Sequence, residues 1–170
     1  LSKVYRDVFM TAHSTGTNTI FIDSDGSTRG NCELNASEAD MAFLYYGTSS
    51  GPSFYSPTNT SNVAKNFKCD GTAWEITNTA VLRATRFRVL VPGNSTVDEI
   101  YAKFNNNDLD DLETALSSQS IGGSGARFNP STAASTSVFN TSTAYLIAAK
   151  IPDPGASTFK YALIHVKEAD

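Results

Sequence analysis

Asp23 and Asp25 stand two positions apart in the run Asp23-Ser24-Asp25-Gly26-Ser27-Thr28. Oxygen ligands at that spacing, followed by a glycine that lets the chain turn sharply, are how a calcium loop begins. The third early ligand and the later glutamate of an EF-hand are missing. The two aspartates are therefore candidates for calcium, the one cofactor in view, and a hairpin corner accounts for them equally well, since Asp-Gly is a strong turn signal. A second set is aromatic. Tyr45, Tyr46, Phe54, Tyr55 and Trp74 offer rings whose apolar faces suit the C–H faces of sugars while their polar tips stay wet. Core packing is the competing role, and it is favoured for Tyr45, whose neighbours are apolar. Tyr46, Tyr55 and Trp74 are the candidate carbohydrate-binding residues.

The densest acidic cluster is Asp108, Asp110, Asp111 and Glu113. Carboxylates in the first turn of a helix are stabilised by its dipole, and that role is preferred here to a metal site. A carboxylate pair for glycoside hydrolysis is a further candidate that sequence spacing does not test. His13 and His165 belong to no nucleophile–base pattern. The sequence contains no nucleophile elbow, phosphate loop, dinucleotide fingerprint or zinc spacing, so no catalytic residue is proposed. Cys32 and Cys69, 37 positions apart, are expected to form a disulfide, worth about 3–4 kcal/mol on the chain-entropy model. The competing reading is two buried thiols.

The elements that would hold these residues are mostly short strands. Residues 39–46 are nearly uninterrupted in apolar and aromatic side chains and read as a strand covered on both faces, around which the others are arranged. Residues 3–13 alternate as a half-buried strand. Residues 19–23 and 31–34 are shorter strands on either side of the Asp25-Gly26 turn. Pro52, Pro57 and their glycines argue for a loop or an edge after Gly47 rather than a central strand. In residues 81–91, Thr85, Phe87, Val89 and Val91 share one face, while Arg86 and Arg88 turn toward solvent or acidic neighbours.

Helical spacing then takes over. Thr96-Val97-Asp98-Glu99 fits a capping box, with Val97, Ile100, Tyr101 and Phe104 as the stripe that follows. Leu109, Leu112 and Leu116 mark a second helix over 108–117, with Asn107 as its expected N-cap. Residues 117–137 read as a long surface loop. Residues 143–150 and 159–167 are the last strands, joined through Pro152-Asp153-Pro154-Gly155. The pattern predicts a single domain over 1–170: a mainly antiparallel β-sandwich, jelly-roll or Ig-like, with a two-helix insertion near 97–117.

Composition narrows the class. Ser and Thr make up nearly a quarter of the chain, the net charge is −4 and the pI about 5.1. No basic stripe is present to displace counterions from phosphates, so nucleic acid is not an expected partner. No run approaches the length of apolar residues that spans a bilayer. Asn35, Asn59, Asn94 and Asn140 open Asn-x-Ser/Thr triplets, which chance supplies in so polar a chain.

Phe21-Ile22-Asp23 with Gly26, the run Ala39-Asp40-Met41-Ala42-Phe43-Leu44-Tyr45-Tyr46-Gly47, then Phe54 with Ser56-Pro57, Trp74, Asn78, Thr85 and Phe87, and finally Tyr161-Ala162-Leu163-Ile164-His165-Val166, resemble in that order the secreted surface lipoproteins of Bacteroidetes-type bacteria. The resemblance implies an exported, non-enzymatic domain, secreted or on the outer cell surface, and supplies no catalytic residues. It lacks that group's lipid-bearing N-terminal cysteine. The family pattern continues into one further strand, so the strand at 159–166 is expected to leave an open edge. A second copy would fill it, with residues 3–12 as donor, unless those residues pair within their own domain. The expected function is a structural or adhesive surface domain associating with copies of itself. A carbohydrate-binding module is the alternative, and a glycan hydrolase the third reading.

Overall fold

A computed structural model describes residues 19–22, 28–30, 42–47, 51–56, 68–69, 72–73, 84–108, 110–118, 137–138, 144–153 and 157–167, with side chains for 54–56 and from 84 onward except at 137–138. These residues are mostly strands, with an antiparallel three-stranded sheet and two short helices.

The larger sheet contains β1 (Thr19–Ile22), β2 (Thr28–Gly30), β3 (Ala42–Gly47), β4 (Gly51–Tyr55) and β8 (Ser137–Val138), in the order β2-β1-β3-β4-β8. The aromatic run of the sequence thus becomes its middle strand. β1 and β2 pair antiparallel, and the strand expected at 31–34 lies outside the described residues. The proline-bearing segment is a correction: Gly51–Tyr55 is paired on both sides, with β3 and with β8. Pro52 is tolerated because β8 reaches only Phe54 and Tyr55, so among the described strands the proline end has no partner on that side. A separate hairpin joins β5 (Lys68–Cys69) to β6 (Thr72–Ala73). Its two-residue connection, Asp70-Gly71, is the turn signal that the sequence reading passed over.

The smaller sheet has the order β10-β9-β7, from β7 (Arg86–Leu90), β9 (Leu146–Pro152) and β10 (Phe159–His165). Its β9–β10 hairpin keeps register through all seven pairs. Asp153 N–H donates to Thr158 O at 3.0 Å, and the Thr158 hydroxyl returns a bond to Asp153 Oδ2 at 2.9 Å, closing the turn.

Both faces of this sheet are covered. On one, Phe87, Ile147, Ala149 and Ile151 are buried with Phe54 of β4. The Phe54 and Phe87 rings stack with centroids 6.4 Å apart. On the other, Leu90, Leu146 and Ala148 meet the apolar stripe of α1 (Ser95–Asn105) and α2 (Leu112–Ser117). The arginine face is therefore the helix face. Arg86 and Arg88 are half-buried there rather than turned to open solvent.

The start of α1 corrects the capping-box reading. Gly93 takes φ +125°, open to glycine at little cost. The cap is Asn94, whose Oδ1 accepts from Val97 N–H at 3.0 Å, while Asp98 Oδ1 accepts from Gly93 N–H at 3.0 Å. Asn107 is not the cap of α2. It sits at φ 53° in the interhelix turn, and the N-cap position falls on Asp111, at φ 57° with no side-chain cap bond.

One polar contact ties helix to sheet. Tyr101 Oη donates to Leu90 O at 2.9 Å and accepts from Leu146 N–H at 2.9 Å. Leu90 and Leu146 are register partners, so a single hydroxyl bridges the end of the β7–β9 ladder. Burial holds the phenol above its ordinary pKa, opposed by the Leu146 N–H. Tyr101→Phe keeps the ring and strands both backbone groups. Urea denaturation of this variant should show a loss of about 1–3 kcal/mol.

Candidate functional site

The helix face is covered unevenly. α1 lies over the Leu90–Leu146 end. α2, six residues long, gives way at the other end to an open cleft of about 370 Å³. Glu113, Thr114 and Ser117 line it from α2, and Thr158, Phe159 and Tyr161 from the β10 side. The hairpin turn sets Thr158 and Phe159, and strand alternation puts Phe159 and Tyr161 on the helix face. Phe159 is 42% exposed, far more than an aromatic ring serving the core. The lining therefore combines a partly exposed aromatic ring, a half-buried tyrosine, three hydroxyl residues and one carboxylate.

Two cations share the helix face of the sheet with Tyr161. Register aligns Arg86, Lys150 and Tyr161 across the three strands, on the cleft's face of the sheet. Lys150 Nζ lies over the Phe159 ring, 4.0 Å from its centroid, a cation–π contact that covers one face of the ring. Arg86 Nη1 is buried without a hydrogen-bond partner.

The residues singled out from sequence fall elsewhere. Tyr55 is 4% exposed, so its ring lies in the interior and presents no platform to solvent. Its neighbour Phe54, facing β7, is buried in the same region. Tyr46 is described only through its backbone, opposite Pro52. Trp74, Asp23, Asp25, Cys32 and the strand expected at 3–13 lie outside the described residues, and Cys69 is described only as part of β5. Among the described residues there is no disulfide and no cluster of three metal-ligating side chains. No helix among them is long and apolar enough to cross a membrane. His165 is used in packing: its ring meets Phe104 edge-on at 5.4 Å.

The acidic cluster acts mainly on the chain itself. Asp108 Oδ1 accepts from Asp110 N–H at 3.0 Å and its Oδ2 from Lys103 Nζ at 3.2 Å, while Lys103 also donates to Asp110 O at 2.8 Å. This fastens the turn between the helices. Only Glu113 reaches the cleft. The cleft was not legible as a motif, because it joins residues 113–117 to 158–161 through tertiary packing.

No family model, curated protein or solved structure matches this chain.

The Asp110 N–H and then the Lys103 ammonium hold the Asp108 carboxyl below its ordinary pKa. The sign follows: the contribution of this group is complete above the usual carboxylate range and is lost as pH falls through the lowered value. An NMR titration should place Asp108 below the other surface aspartates. Asp108→Asn should remove the acid-dependent loosening of the 103–111 turn, read as faster amide exchange.

Proposed function

We propose that this chain is an exported, non-enzymatic surface domain that associates with copies of itself through an open sheet edge. The observation that carries the reading is β10. It is seven residues long, paired in full with β9, and has no partner on its other side among the described strands. Tyr161 to Ile164 are half-buried and alternate between the two sheet faces, Phe159, Lys160 and His165 are exposed, and Lys160, its one lysine, turns to Asp153 at 3.8 Å. A long, largely apolar edge invites another strand unless charge, proline or a covering element blocks it. The five- and three-stranded sheets, meeting through Phe54 and Phe87, support a β-sandwich as the architecture behind that edge. The polar, Ser/Thr-rich composition and the resemblance to surface lipoproteins support export. A Cys32–Cys69 bridge and calcium at Asp23 and Asp25 belong to the same proposal.

The experiment is sedimentation velocity over a concentration series, with hydrogen exchange on the same samples. A faster species should grow with concentration as the β10 amides gain protection, and a peptide of residues 3–12 should compete if that segment is the donor. A monomer at every concentration, with unchanged β10 exchange, refutes the reading.

The α2–β10 cleft favours a second reading, carbohydrate binding. An exposed ring ringed by hydroxyls is what a sugar stacks on. A glycoside hydrolase needs two carboxylates about 5–10 Å apart, and among the described residues lining the cleft Glu113 is the one carboxylate. On a glycan array, Phe159→Ala should abolish any signal without lowering the melting temperature. Binding that survives the substitution removes this cleft from consideration.

A further inference from the structure

We propose that β10 pairs antiparallel with β10 of a second copy about a two-fold axis at Ala162, joining two β10-β9-β7 sheets into one. The inference rests on the self-association reading above and adds the partner strand, its direction and its register.

The backbone decides which groups are offered. Asp153 N–H donates to Thr158 O at 3.0 Å, so Thr158 turns its carbonyl toward β9. Asp153 and Thr158 follow directly on the Pro152–Phe159 pair of the ladder. Along an antiparallel strand the backbone groups of successive residues face alternate sides. Thr158, Lys160, Ala162 and Ile164 therefore turn theirs toward β9, while Phe159, Tyr161, Leu163 and His165 aim theirs at the open edge. Pro152 agrees with this phase. It has no N–H and stands opposite Phe159, where the ladder needs no donor.

The outward residues are spaced to complement themselves. An antiparallel copy centred on Ala162 sets Phe159 opposite His165 of the second copy, and Tyr161 opposite Leu163. Every outward N–H and C=O then meets a partner, and Ala162 faces its own counterpart. A centre at Tyr161 or Leu163 carries an end residue of β10 past the other strand. A centre at Lys160 sets that residue against its own copy, and like charges directly opposite one another are destabilising. Centred on Ala162, Lys160 opposes Ile164 instead.

Side-chain burial favours the same partner. Tyr161 and Leu163 pack against the cluster under the helices, and Ala162 and Ile164 against the Phe54–Phe87 cluster, all of them only partly buried. Both layers thus stop over β10 with apolar surface left at the edge. Opposed residues of an antiparallel pair share a face, so a second copy continues the helix side with its helix side and the Phe54 side with its own. Phe159, 42% exposed, gains an aromatic cross-strand neighbour in His165 of the second copy.

The test is a cysteine at the axis. Opposed residues of a non-hydrogen-bonded antiparallel pair have Cα atoms about 4.5 Å apart, within disulfide range. Ala162→Cys, oxidised in air, should become a covalent dimer, with the bridge mapped to residue 162 by mass spectrometry because Cys32 and Cys69 are also present. Lys160→Cys and Ile164→Cys should each stay unbridged at that position alone and cross-link to one another when mixed. If Ala162→Cys fails to fold, the mixture decides. Unsubstituted protein that associates while neither cross-link forms, or that grows past a dimer, overturns the two-fold register and leaves the self-association reading standing. Unsubstituted protein that stays monomeric overturns both, and β10 amides already protected in that monomer assign the edge to the chain's own residues.

Discussion

The first four residues of β9, Leu146, Ile147, Ala148 and Ala149, are buried toward both faces of the smaller sheet, which is built to satisfy that constraint. Successive side chains in a strand point to opposite faces, so a strand buried at four successive positions needs a layer on each side there. One layer comes from β4, through Phe54. The other comes from α1 and α2, through Val97, Ile100 and Leu116. The alanines at 148 and 149 let both layers approach closely. At the end of the ladder, covering the sheet with a helix would strand backbone groups away from water, and the Tyr101 hydroxyl answers by serving Leu90 and Leu146 together.

The sequence disclosed those parts of this arrangement that are local. The β9–β10 hairpin was legible because Pro152-Asp153-Pro154-Gly155 marks its turn and apolar runs flank it. The stripe Val97, Ile100, Tyr101 and Phe104 disclosed α1. The start of that helix was misread because Thr96 and Glu99 have the right spacing for a capping box, while Pro92-Gly93-Asn94 already turns the chain and supplies a cap. The strand at Gly51–Tyr55 was discounted because of Pro52. Whether a proline can sit in a strand depends on which side its neighbour pairs, and only register discloses that.

The aromatic candidates show the same limit. Tyr55 and Phe159 are both rings in polar-flanked strand segments, and composition does not separate them. Tertiary position does: Tyr55 is 4% exposed and Phe159 42%. Burial follows from what lies across the sheet, not from the residues beside each ring in the chain. The arginines of β7 were likewise assigned to solvent or acidic neighbours by alternation alone. Alternation identified their common face correctly but did not disclose that the helices occupy it.

The position of the cleft follows from helix length. A helix rises 1.5 Å per residue, so the six residues of α2 span only about 9 Å, less than three residues of strand. Along β9 on the helix face, burial is complete at Leu146 and Ala148 and only partial at Lys150. The sequence changes character where cover ends, from leucine and alanine to lysine, and the neighbouring strands change with it, to Arg86 and Tyr161. Long amphipathic side chains are suited to such a margin, since their stems pack against apolar neighbours while their charged ends reach the opening. Lys150 lays its ammonium over the Phe159 ring. Arg86 meets the pattern incompletely, because one of its nitrogens remains buried without a partner. The short second helix thus leaves the margin of a core open, lined by aromatic, hydroxyl and carboxylate groups.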